Sequence, residues 1–551
     1  MSLTSTAFSP QVPTGPSAAD LLRRGREHYR RGELKDAIAL FQAGLALVTM
    51  MSIATATDMA ADLHAALANA FMLCDDLDSA AENYKAALRL APHLVACWCN
   101  LGNVHLKTGM AQQAIALYLE ALRLNPAHRP SRTNLVQALV ATRQYVLAQV
   151  LLGELIEEVP DDASLHAELG KVCFELKQIE DAIAHFERAA VLAPERADNL
   201  YWIGAIRQAI GETEAAETAY ERAVRLHPVL RRPATRSPAS FRVLALFAPF
   251  VGNTPIAYLF RDCAYQTDIL SLSPSIRPDL ASLAREADVV VNLVCDADQG
   301  AAILPLADEI ARRLGKPVVN EPEKILRTTR DATAVALAGI PGCRVPRTWR
   351  IAAGQVLPLP GSELTFPLLA RPAGTHGGDF FARFEDRDAL TAFLAERASE
   401  DRYLIEPIDY RSADGRFRKY RFIFVGEQML PYHLAIGDGW KLHRDSTDMA
   451  SQDWMQREEE QFLRDPKSVF TARHHDVLRT IGSRIGLDYF GIDCALDDQE
   501  NLVVFEVNAS MLVHDENPDF PYKDPFVRRI KTAFDAMLAR RAGAMPELGL
   551  N

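Results

Sequence analysis

A repeat of 34 residues, running from about residue 18 to residue 230, constrains the fold of this chain more than any other feature. In the copy that begins at Val95, the recurring positions hold Trp98, Leu101, Gly102, Ala114, Tyr118, Ala121 and Pro126. Small residues let two antiparallel helices approach, the aromatic residue fills the gap between successive pairs, and the proline ends the second helix. The repeat therefore predicts a stack of helix pairs.

The same pattern returns one period earlier, from His64 to Pro92, and two and three periods later, ending at Pro194 and Pro228. A weaker copy starts at Arg129, and a first copy begins near Ala18, before an insertion at 49–60. This pattern resembles that of tetratricopeptide repeat proteins. The resemblance implies about six repeats over 18–230, forming an all-α solenoid with a concave groove.

In this family the ninth position of each repeat faces the groove. Here it is occupied by Arg26, Asn69, Asn103, Gln137, Lys171 and Ala205. Side-chain amides at fixed spacing can pair with both the N–H and the C=O groups of an extended peptide. The resemblance thus implies that a peptide or protein binds through Asn69, Asn103, Gln137 and Lys171, although these residues also suit an ordinary solvated helix face.

Residues 231–240 form a linker that is rich in proline, serine and arginine and breaks the period. Beyond the linker, strands alternate with helices, which predicts a small doubly wound α/β domain over 241–322. The predicted strands are 241–247, 288–294 and 316–319, and the predicted helices are 255–265, 278–286 and 300–314. Because the first strand is not followed by GxGxxG, the dinucleotide fingerprint is lacking.

A third region extends from residue 323 to residue 540. It is predicted to open with a helix over 323–338. An apolar strand over 366–370 then runs into a glycine-rich turn, and glycines let backbone N–H groups approach phosphate oxygens closely. Strands that end at Glu406-Pro407-Ile408 and that contain Arg421 follow.

The region closes with GIDCALDDQENLVVFEVNAS, residues 491–510, which predicts two strands joined by a polar turn. Since side chains alternate along a strand, Glu506 and Asn508 share one face, and Asp493 can lie opposite Glu506. Two carboxylates and an amide oxygen suit Mg²⁺ that bridges nucleotide phosphates. A hairpin with solvent-facing acids is the alternative that this stretch alone leaves open.

The order of these parts resembles the ATP-grasp superfamily over about 240–540, in particular the glutathione synthetase-like and peptide-ligase-like carboxylate–amine ligases. The resemblance implies an α/β pre-ATP-grasp domain at 241–322 and an α+β ATP-grasp domain at 323–540. It also implies that Asp493, Glu506 and Asn508 bind Mg²⁺. Arg421 and Lys441 would contact phosphate or the reacting carboxylate.

The same resemblance assigns the ATP-binding residues. The loop over the phosphates would be formed by Gly374, Thr375, His376, Gly377 and Gly378, and the hinge beside adenine by Glu406, Pro407 and Ile408. Arg330 and Arg371 stand where members usually carry lysines, and arginine keeps the charge but not the compact ammonium geometry. Lys419 replaces a common acid, and residues 509–512 replace the usual turn, so the substrates do not transfer from the family.

The composition of the chain limits the classes of partner and the cellular location that we expect. The net charge of −12 argues against nucleic acid as a main partner. No run approaches the roughly 20 apolar residues that span a bilayer, and the N-terminus lacks the features of a secretory signal. Eight scattered cysteines without a CxxC pair indicate free thiols in a reducing cytoplasm. Residues 1–17 and 541–551 are expected to be tails.

These observations predict an ATP- and Mg²⁺-dependent carboxylate–amine ligase that works through an acyl-phosphate on a small-molecule or peptide carboxylate and amine. The repeats would recruit a peptide or protein substrate, or a partner enzyme. Ligases of this branch are often dimers or tetramers, so the resemblance also allows a homo-oligomer. The alternatives are an interaction scaffold with a nucleotide-binding but inactive ATP-grasp domain, and a phosphorylating relative of the superfamily.

Overall fold

A computed structural model describes residues 16–48, 53–249, 252–355, 364–375, 380–442, 447–515, 517 and 519–544. The chain divides into two compact units, Met1–Ile206 and Arg207–Asn551. Most of the predicted N-terminal tail, part of the predicted insertion, and the loop residues His376, Gly377 and Gly378 lie outside the described residues. In the part of the chain that is described, no helix is both long enough and apolar enough to cross a membrane.

Helices follow one another in pairs from residue 18 onward. They are α1 (Ala18–Arg30), α2 (Leu34–Val48), α3 (Ile53–Leu73), α4 (Leu77–Leu90), α5 (Val95–Lys107), α6 (Ala111–Leu124), α7 (Arg129–Ala141), α8 (Tyr145–Glu158), α9 (Ala163–Glu175), α10 (Ile179–Leu192), α11 (Ala197–Ala209) and α12 (Thr213–Leu226). The division between the units falls within α11. Part of the predicted insertion forms the first turns of α3, which has 21 residues.

The small and aromatic positions of the repeat explain why the helices pair. A Cβ atom built on Gly102 would lie 2.5 Å from the ring of Tyr118, and one on Gly25 would lie 2.4 Å from the ring of Phe41. Both rings are buried. Glycine therefore leaves the space that the aromatic side chain of the second helix occupies.

The second unit continues with a five-stranded sheet in the order β1-β3-β2-β4-β5. Its elements are β1 (Val229–Arg232), β2 (Arg242–Phe247), β3 (Gln266–Ser271), α13 (Leu280–Glu286), β4 (Val289–Asn292), α14 (Leu304–Leu314) and β5 (Val318–Val319). Strands β2 to β5 are parallel, and β1 is an antiparallel edge strand. Helices α13 and α14 cover one face.

The predicted helix 255–265 is wrong: residues 257–262 form turns, and β3, which the sequence patterns did not predict, follows. Tyr258, Leu259 and Phe260 are buried in succession. A helix that packs against a sheet by one face does not bury three consecutive side chains. The second face of the sheet is instead covered by the C-terminal helix, Asp524–Arg541.

The predicted helix 323–338 is divided into α15 (Pro322–Ile325) and α16 (Arg330–Leu337), and β6 (Cys343–Arg344) follows. The break has a local cause, because the side chain of Thr329 accepts a hydrogen bond from the backbone N–H of Ala332 and starts a new helix.

A four-stranded antiparallel sheet has the order β7-β10-β8-β9. Its strands are β7 (Thr348–Ile351), β8 (Leu368–Pro372), β9 (Ala382–Phe384) and β10 (Arg402–Ile405), and α17 (Arg387–Glu396) packs on one face. The other face includes Leu369, Tyr403 and Ile405 and packs against Phe381 and Trp440.

The last sheet has the order β12-β11-β13-β14-β6. Its remaining elements are β11 (Phe417–Val425), β12 (Gln428–Gly437), α18 (Asp453–Arg464), α19 (Ala472–Ile485), β13 (Tyr489–Leu496) and β14 (Leu502–Asn508), followed by α20 (Asp524–Arg541). Helices α18 and α19 pack on one face. The opposite face contains the predicted acidic residues.

Candidate functional site

Four polar residues form a row across the last sheet, one on each of β12, β11, β13 and β14. His433 pairs with Arg421, Arg421 with Asp493, and Asp493 with Glu506. Residues that lie directly opposite each other on adjacent strands share a sheet face. The row, which we call the polar row, therefore places Arg421 between the imidazole and the two carboxylates, and Asp493 lies opposite Glu506 as predicted.

Cations hold both carboxylates of the polar row. Arg421 donates from Nε and Nη2 to the two oxygens of Asp493, at 2.6 and 3.0 Å, and Lys419 Nζ lies 3.2 Å from Oδ2. Arg330, at the start of α16, donates to Glu506 Oε1 at 2.8 Å. Asp493 is only 3% exposed. Burial opposes its ionisation, but Arg421 and Lys419 outweigh that effect and hold the pKa of Asp493 below its ordinary value.

The carboxylates of Asp493 and Glu506 and the amide of Asn508 are hard-oxygen donors of the type that Mg²⁺ prefers. In this structure the Asn508 Oδ1 accepts from the N–H and Oγ of Ser510, at 2.8 and 2.7 Å. Three cationic side chains surround two carboxylates, so the local formal charge is positive. The donor chemistry suits Mg²⁺, and binding of the ion would require the bonds to Arg330, Lys419, Arg421 and Ser510 to be exchanged for bonds to the ion.

Apolar residues continue the face of the polar row toward one end of the sheet. Ala435 pairs with Lys419, and Ala495 pairs with Val503 two residues beyond Asp493. They belong to a cluster, here called the apolar shelf, that consists of Ile408, Tyr410, Phe417, Ala435, Leu442, Ala495, Val503 and Phe505. Ile408 of the predicted hinge, which is partly buried, thus packs against a buried apolar cluster beside the charged residues.

The predicted hinge follows β10 directly. The Glu406 carboxylate accepts from Arg347 Nε at 2.7 Å and Nη2 at 3.2 Å, and the Glu406 backbone N–H donates to the Arg347 carbonyl at 2.9 Å. Pro407 has no N–H group. Of the three hinge residues, Ile408 is the one whose side chain packs against the apolar shelf.

Arg371 is buried at the end of β8 and is directed at the beginning of the glycine-rich turn. It donates from Nε to Thr375 Oγ1 at 3.1 Å and also bonds the Thr375 carbonyl. Its guanidinium lies 5.4 Å from the ring centroid of Phe381. Lys441 Nζ donates to the Phe381 carbonyl at 3.2 Å, so Lys441 and Arg371 meet at this residue.

The sequence patterns did not identify Asp298, which holds the same turn. Its carboxylate accepts from Gly374 N–H at 3.3 Å, from Arg350 Nη1 at 2.7 Å and from Tyr403 Oη at 2.8 Å. Gln299 Nε2 donates to the Gly374 carbonyl at 2.6 Å. The usable signal was the polar DADQ stretch after an apolar strand, since loops at the carboxyl ends of parallel strands form the ligand-facing edge of α/β sheets.

The two predicted groove asparagines form hydrogen bonds with other residues of the repeats. Asn69 Oδ1 accepts from Tyr84 Oη at 2.6 Å and from Asn100 Nδ2 at 3.1 Å. Asn103 Oδ1 accepts from Tyr118 Oη at 2.8 Å and from Asn134 Nδ2 at 2.7 Å. Their acceptor oxygens are thus used inside the solenoid.

The two later groove residues differ from the asparagines. Gln137 is exposed on α7. Lys171 donates to Glu168, three residues earlier on α9, at 2.8 Å. These side chains form part of the surface, whereas Asn69 and Asn103 also connect neighbouring repeats.

Models of the tetratricopeptide repeat family match residues 95–128, 133–197 and 197–229. The segment from 95 to 229 therefore consists of tetratricopeptide repeats, a class that stacks into extended surfaces for binding other proteins. No curated protein matches the chain.

Solved structures with helical repeats are similar to part of the chain. One is MamA, residues 41 to the end, from Desulfovibrio magneticus RS-1, with 20% identity, 30% of this chain and 94% of that chain covered, and a TM-score of 0.30. YrrB, described as a TPR protein with an unusual peptide-binding site, has 22% identity, coverage of 30% and 86%, and a TM-score of 0.28. The pilF protein of Pseudomonas aeruginosa has 18% identity, coverage of 38% and 92%, and a TM-score of 0.32.

Proposed function

We propose that the unit Arg207–Asn551 is an ATP-dependent carboxylate–amine ligase of the ATP-grasp type and that the repeats recruit its peptide or protein partner. The observation that carries the proposal is the polar row beside the apolar shelf. Adenosine triphosphate has an apolar base at one end and a polyanion at the other. A sheet face with an apolar cluster next to Arg330, Lys419 and Arg421 suits both ends.

The residues have distinct roles in the proposed reaction. Arg330, Lys419 and Arg421 would bind phosphate oxygens and stabilise the charge that develops during transfer. Asp493, Glu506 and Asn508 would hold Mg²⁺, which when bound adds Lewis-acid neutralisation of phosphate charge. Thr375 and Gly374 would lie at the base of the loop that keeps water out.

The reaction proposed here has two steps. A carboxylate oxygen of the first substrate attacks the γ-phosphorus of ATP, the bond to the bridging oxygen breaks, and ADP leaves. The nitrogen of a neutral amine then attacks the acyl carbon, the bond from carbon to the phosphate oxygen breaks, and the departing phosphate takes the proton from nitrogen. The products are an amide, ADP and phosphate.

A trapping assay tests this proposal without knowledge of the amine. The full chain is incubated with MgATP, hydroxylamine and a panel of amino acids, dipeptides and dicarboxylates, because hydroxylamine converts an acyl-phosphate to a hydroxamate. We expect hydroxamate and ADP in equal amounts with at least one acid. Asp493→Asn and Glu506→Gln should reduce the rate about 100-fold or more.

Asp498→Asn is the matched control, since Asp498 is an exposed acid in the turn of the same hairpin. Its rate should stay within about twofold of wild type, as for a typical surface substitution. ATP binding without ADP formation on any acid would overturn the ligase proposal. A phosphorylated product in place of hydroxamate would replace it with phosphoryl transfer, and unchanged activity in both site variants would reject the assigned residues.

A specific observation favours the alternative, an interaction scaffold whose second unit binds nucleotide without turnover. Asp493 and Glu506 each have a cationic partner within the protein. Removal of one partner would leave a buried charge uncompensated, so the array has a structural role even without a ligand. In that case the repeats would carry the function, and the trapping assay would give no hydroxamate.

A further inference from the structure

His433 is the last member of the polar row and lies on β12, the edge strand of the last sheet. It pairs directly with Arg421, whose guanidinium binds Asp493, and Glu506 stands at the other end of the row. Adjacent strands are about 4.8 Å apart, so the backbone of His433 lies about 10 Å across the sheet from that of Asp493. The imidazole is therefore on the side of Arg421 that is away from the two carboxylates.

Glu459 of α18 holds the His433 imidazole at Nδ1. This nitrogen lies 2.5 Å from Glu459 Oε1 and 3.1 Å from Lys523 Nζ, and Lys523 Nζ lies 3.1 Å from the same oxygen. Tyr522 Oη donates to the other carboxylate oxygen at 2.6 Å. Glu459 is fully buried, and Lys523 is only 7% exposed. Since buried charges are costly unless they are paired in good geometry, this arrangement fixes the position of the ring.

The charges of this network determine which ring nitrogen carries the proton. An ionised carboxylate only accepts hydrogen bonds, so Nδ1 of His433 donates to Glu459, and Lys523 donates to the same carboxylate. Nε2 is then the nitrogen with the lone pair. Among the described residues, the imidazole forms hydrogen bonds only at Nδ1, and its side chain is 33% exposed. Nε2 is thus open to a molecule that binds beside the polar row.

The same surroundings set the protonation state of His433. Partial burial and the charges of Lys523 and Arg421 lower its pKa, and the opposing effect of Glu459 does not reverse this result. The imidazole is therefore neutral at pH 7, and Nε2 can accept a proton. The adjacent carboxylate of Glu459 stabilises the imidazolium that would form.

We propose that His433 is the general base that removes a proton from the amine substrate, and that Glu459 is the residue that positions it. This role rests on the ligase function proposed above. A primary amine has a pKa of about 8 to 10, so at pH 7 it is an ammonium ion without the lone pair needed to attack the acyl carbon. An N–H bond of the ammonium breaks, the proton goes to His433 Nε2, and the electron pair stays on the nitrogen. The imidazolium then gives the proton to water.

The order of the polar row supports this assignment. In the proposed reaction, Asp493 and Glu506 hold Mg²⁺, and Arg421 binds the phosphate that is transferred. His433 is the next residue of the row beyond Arg421, on the side opposite the metal ligands. An amine that approaches the acyl-phosphate from β12 therefore meets Nε2 first.

The test compares two nucleophiles in the same variant. Hydroxylamine is mostly neutral at pH 7 and needs no base, whereas ordinary primary amines need one. The full chain is incubated with MgATP, the acid that gives hydroxamate, and either hydroxylamine or a panel of amino acids, amino acid amides and methylamine. We expect His433→Gln to lower amide formation about 100-fold and to leave hydroxamate formation within about threefold of wild type.

A higher pH separates a base from a purely structural residue. Toward pH 9.5, roughly, a growing fraction of the amine is neutral in solution, so the amide deficit of His433→Gln should shrink to severalfold. Glu459→Gln should lower the ratio of amide to hydroxamate by about tenfold, because the charge that stabilises the imidazolium is lost. His475→Gln is the matched control, since His475 lies on α19, which packs on the opposite face of the sheet. Its ratio should equal that of wild type.

The ratio of the two products also shows when the assignment is wrong. Equal losses of amide and hydroxamate in His433→Gln, no loss of either, or an amide deficit that persists at high pH would overturn it. Hydroxamate without amide from any amine of the panel in wild type would overturn it too, because the site would then supply no base. Absence of hydroxamate in wild type would instead reject the ligase function itself.

Discussion

Glu459 on α18 is fully buried and is surrounded by donors. Its carboxylate accepts from Tyr522 Oη at 2.6 Å, from Lys523 Nζ at 3.1 Å and from the Leu434 N–H at 3.0 Å, and it also contacts His433. Burial alone raises the pKa of Glu459, but the contacts with His433, Lys523 and Tyr522 outweigh it and lower the pKa to about 2. The His433 end of the polar row is therefore held by an ionised glutamate on α18.

This pKa predicts how stability depends on pH. The pKa of an unfolded glutamate is about 4.3. The contribution of ionised Glu459 to the free energy of unfolding is therefore complete above that pH and is lost as the pH falls toward 2. The loss over this window is roughly 3 kcal/mol. We expect urea unfolding of Glu459→Gln to show lower stability at pH 7 and a smaller further decrease at pH 3 than wild type.

Glu427→Gln is the control for this experiment, because Glu427 is exposed in the turn between β11 and β12. It should reproduce the wild-type dependence on pH. If Glu459→Gln and wild type showed the same dependence of stability on pH, Glu459 would not have the lowered pKa described above.

Paired glycine substitutions test the packing of the repeat elements. Gly102 on α5 faces the Tyr118 ring, whereas a Cβ atom on Gly153 of α8 would meet nothing within 4 Å. Gly102→Ala should destabilise the repeats by about 1–3 kcal/mol through overpacking. Gly153→Ala should stabilise them by about 0.5–1 kcal/mol, because alanine is the better helix former.

The measurement is thermal unfolding of the full chain followed by far-ultraviolet circular dichroism. The two variants make the same chemical change in helices of similar length, so each serves as the control for the other. Shifts of the same sign would show that the contact between Gly102 and Tyr118 does not determine the pairing of α5 and α6.

Elements that depend on local rules were predictable from the sequence, and elements that depend on distant partners were not. The helix pairs follow from positions such as Gly102 and Tyr118 within one period. The pairing of Asp493 with Glu506 follows from the alternation of a hairpin. The turns at 257–262 did not follow, because their three buried side chains contact α20, which lies more than 260 residues later.

The residues of the candidate site also divide into those that the sequence identified and those that depend on distant contacts. Arg421 was identified through its strand, but the contact of Arg330 with Glu506 depends on how α16 packs against β14. Asp298 was missed because its role is to hold Gly374, which lies in the turn that follows a strand of a different sheet. A carboxylate that acts through tertiary contacts leaves no periodic signal in the sequence.

At the scale of the whole molecule, the two units should respond differently to nucleotide. If MgATP binds at the polar row, a concentration 100 times the dissociation constant stabilises the bound state by about 2.7 kcal/mol. We expect hydrogen exchange of the full chain to slow in β11, β13 and β14 and to remain unchanged in α4–α8. Glu506→Gln should lose much of this protection.

The same hydrogen-exchange measurement is repeated with MgADP and with adenosine alone. Adenosine should protect peptides of the apolar shelf with little effect at Arg330. Protection that was equal in the repeats and in the sheets, or that persisted fully in Glu506→Gln, would place the nucleotide elsewhere.

The three partners of Asp298 restrain the four-stranded sheet. The Asp298 carboxylate, in the loop that follows β4 of the α/β sheet, accepts from Arg350 on β7, from Tyr403 on β10 and from Gly374 of the glycine-rich turn. The four-stranded sheet cannot swing away from this loop without losing all three partners at once, so these contacts oppose its movement as a group. If a nucleotide binds at the polar row, movements of this sheet that open the site would therefore depend on a loop that carries none of the row's residues.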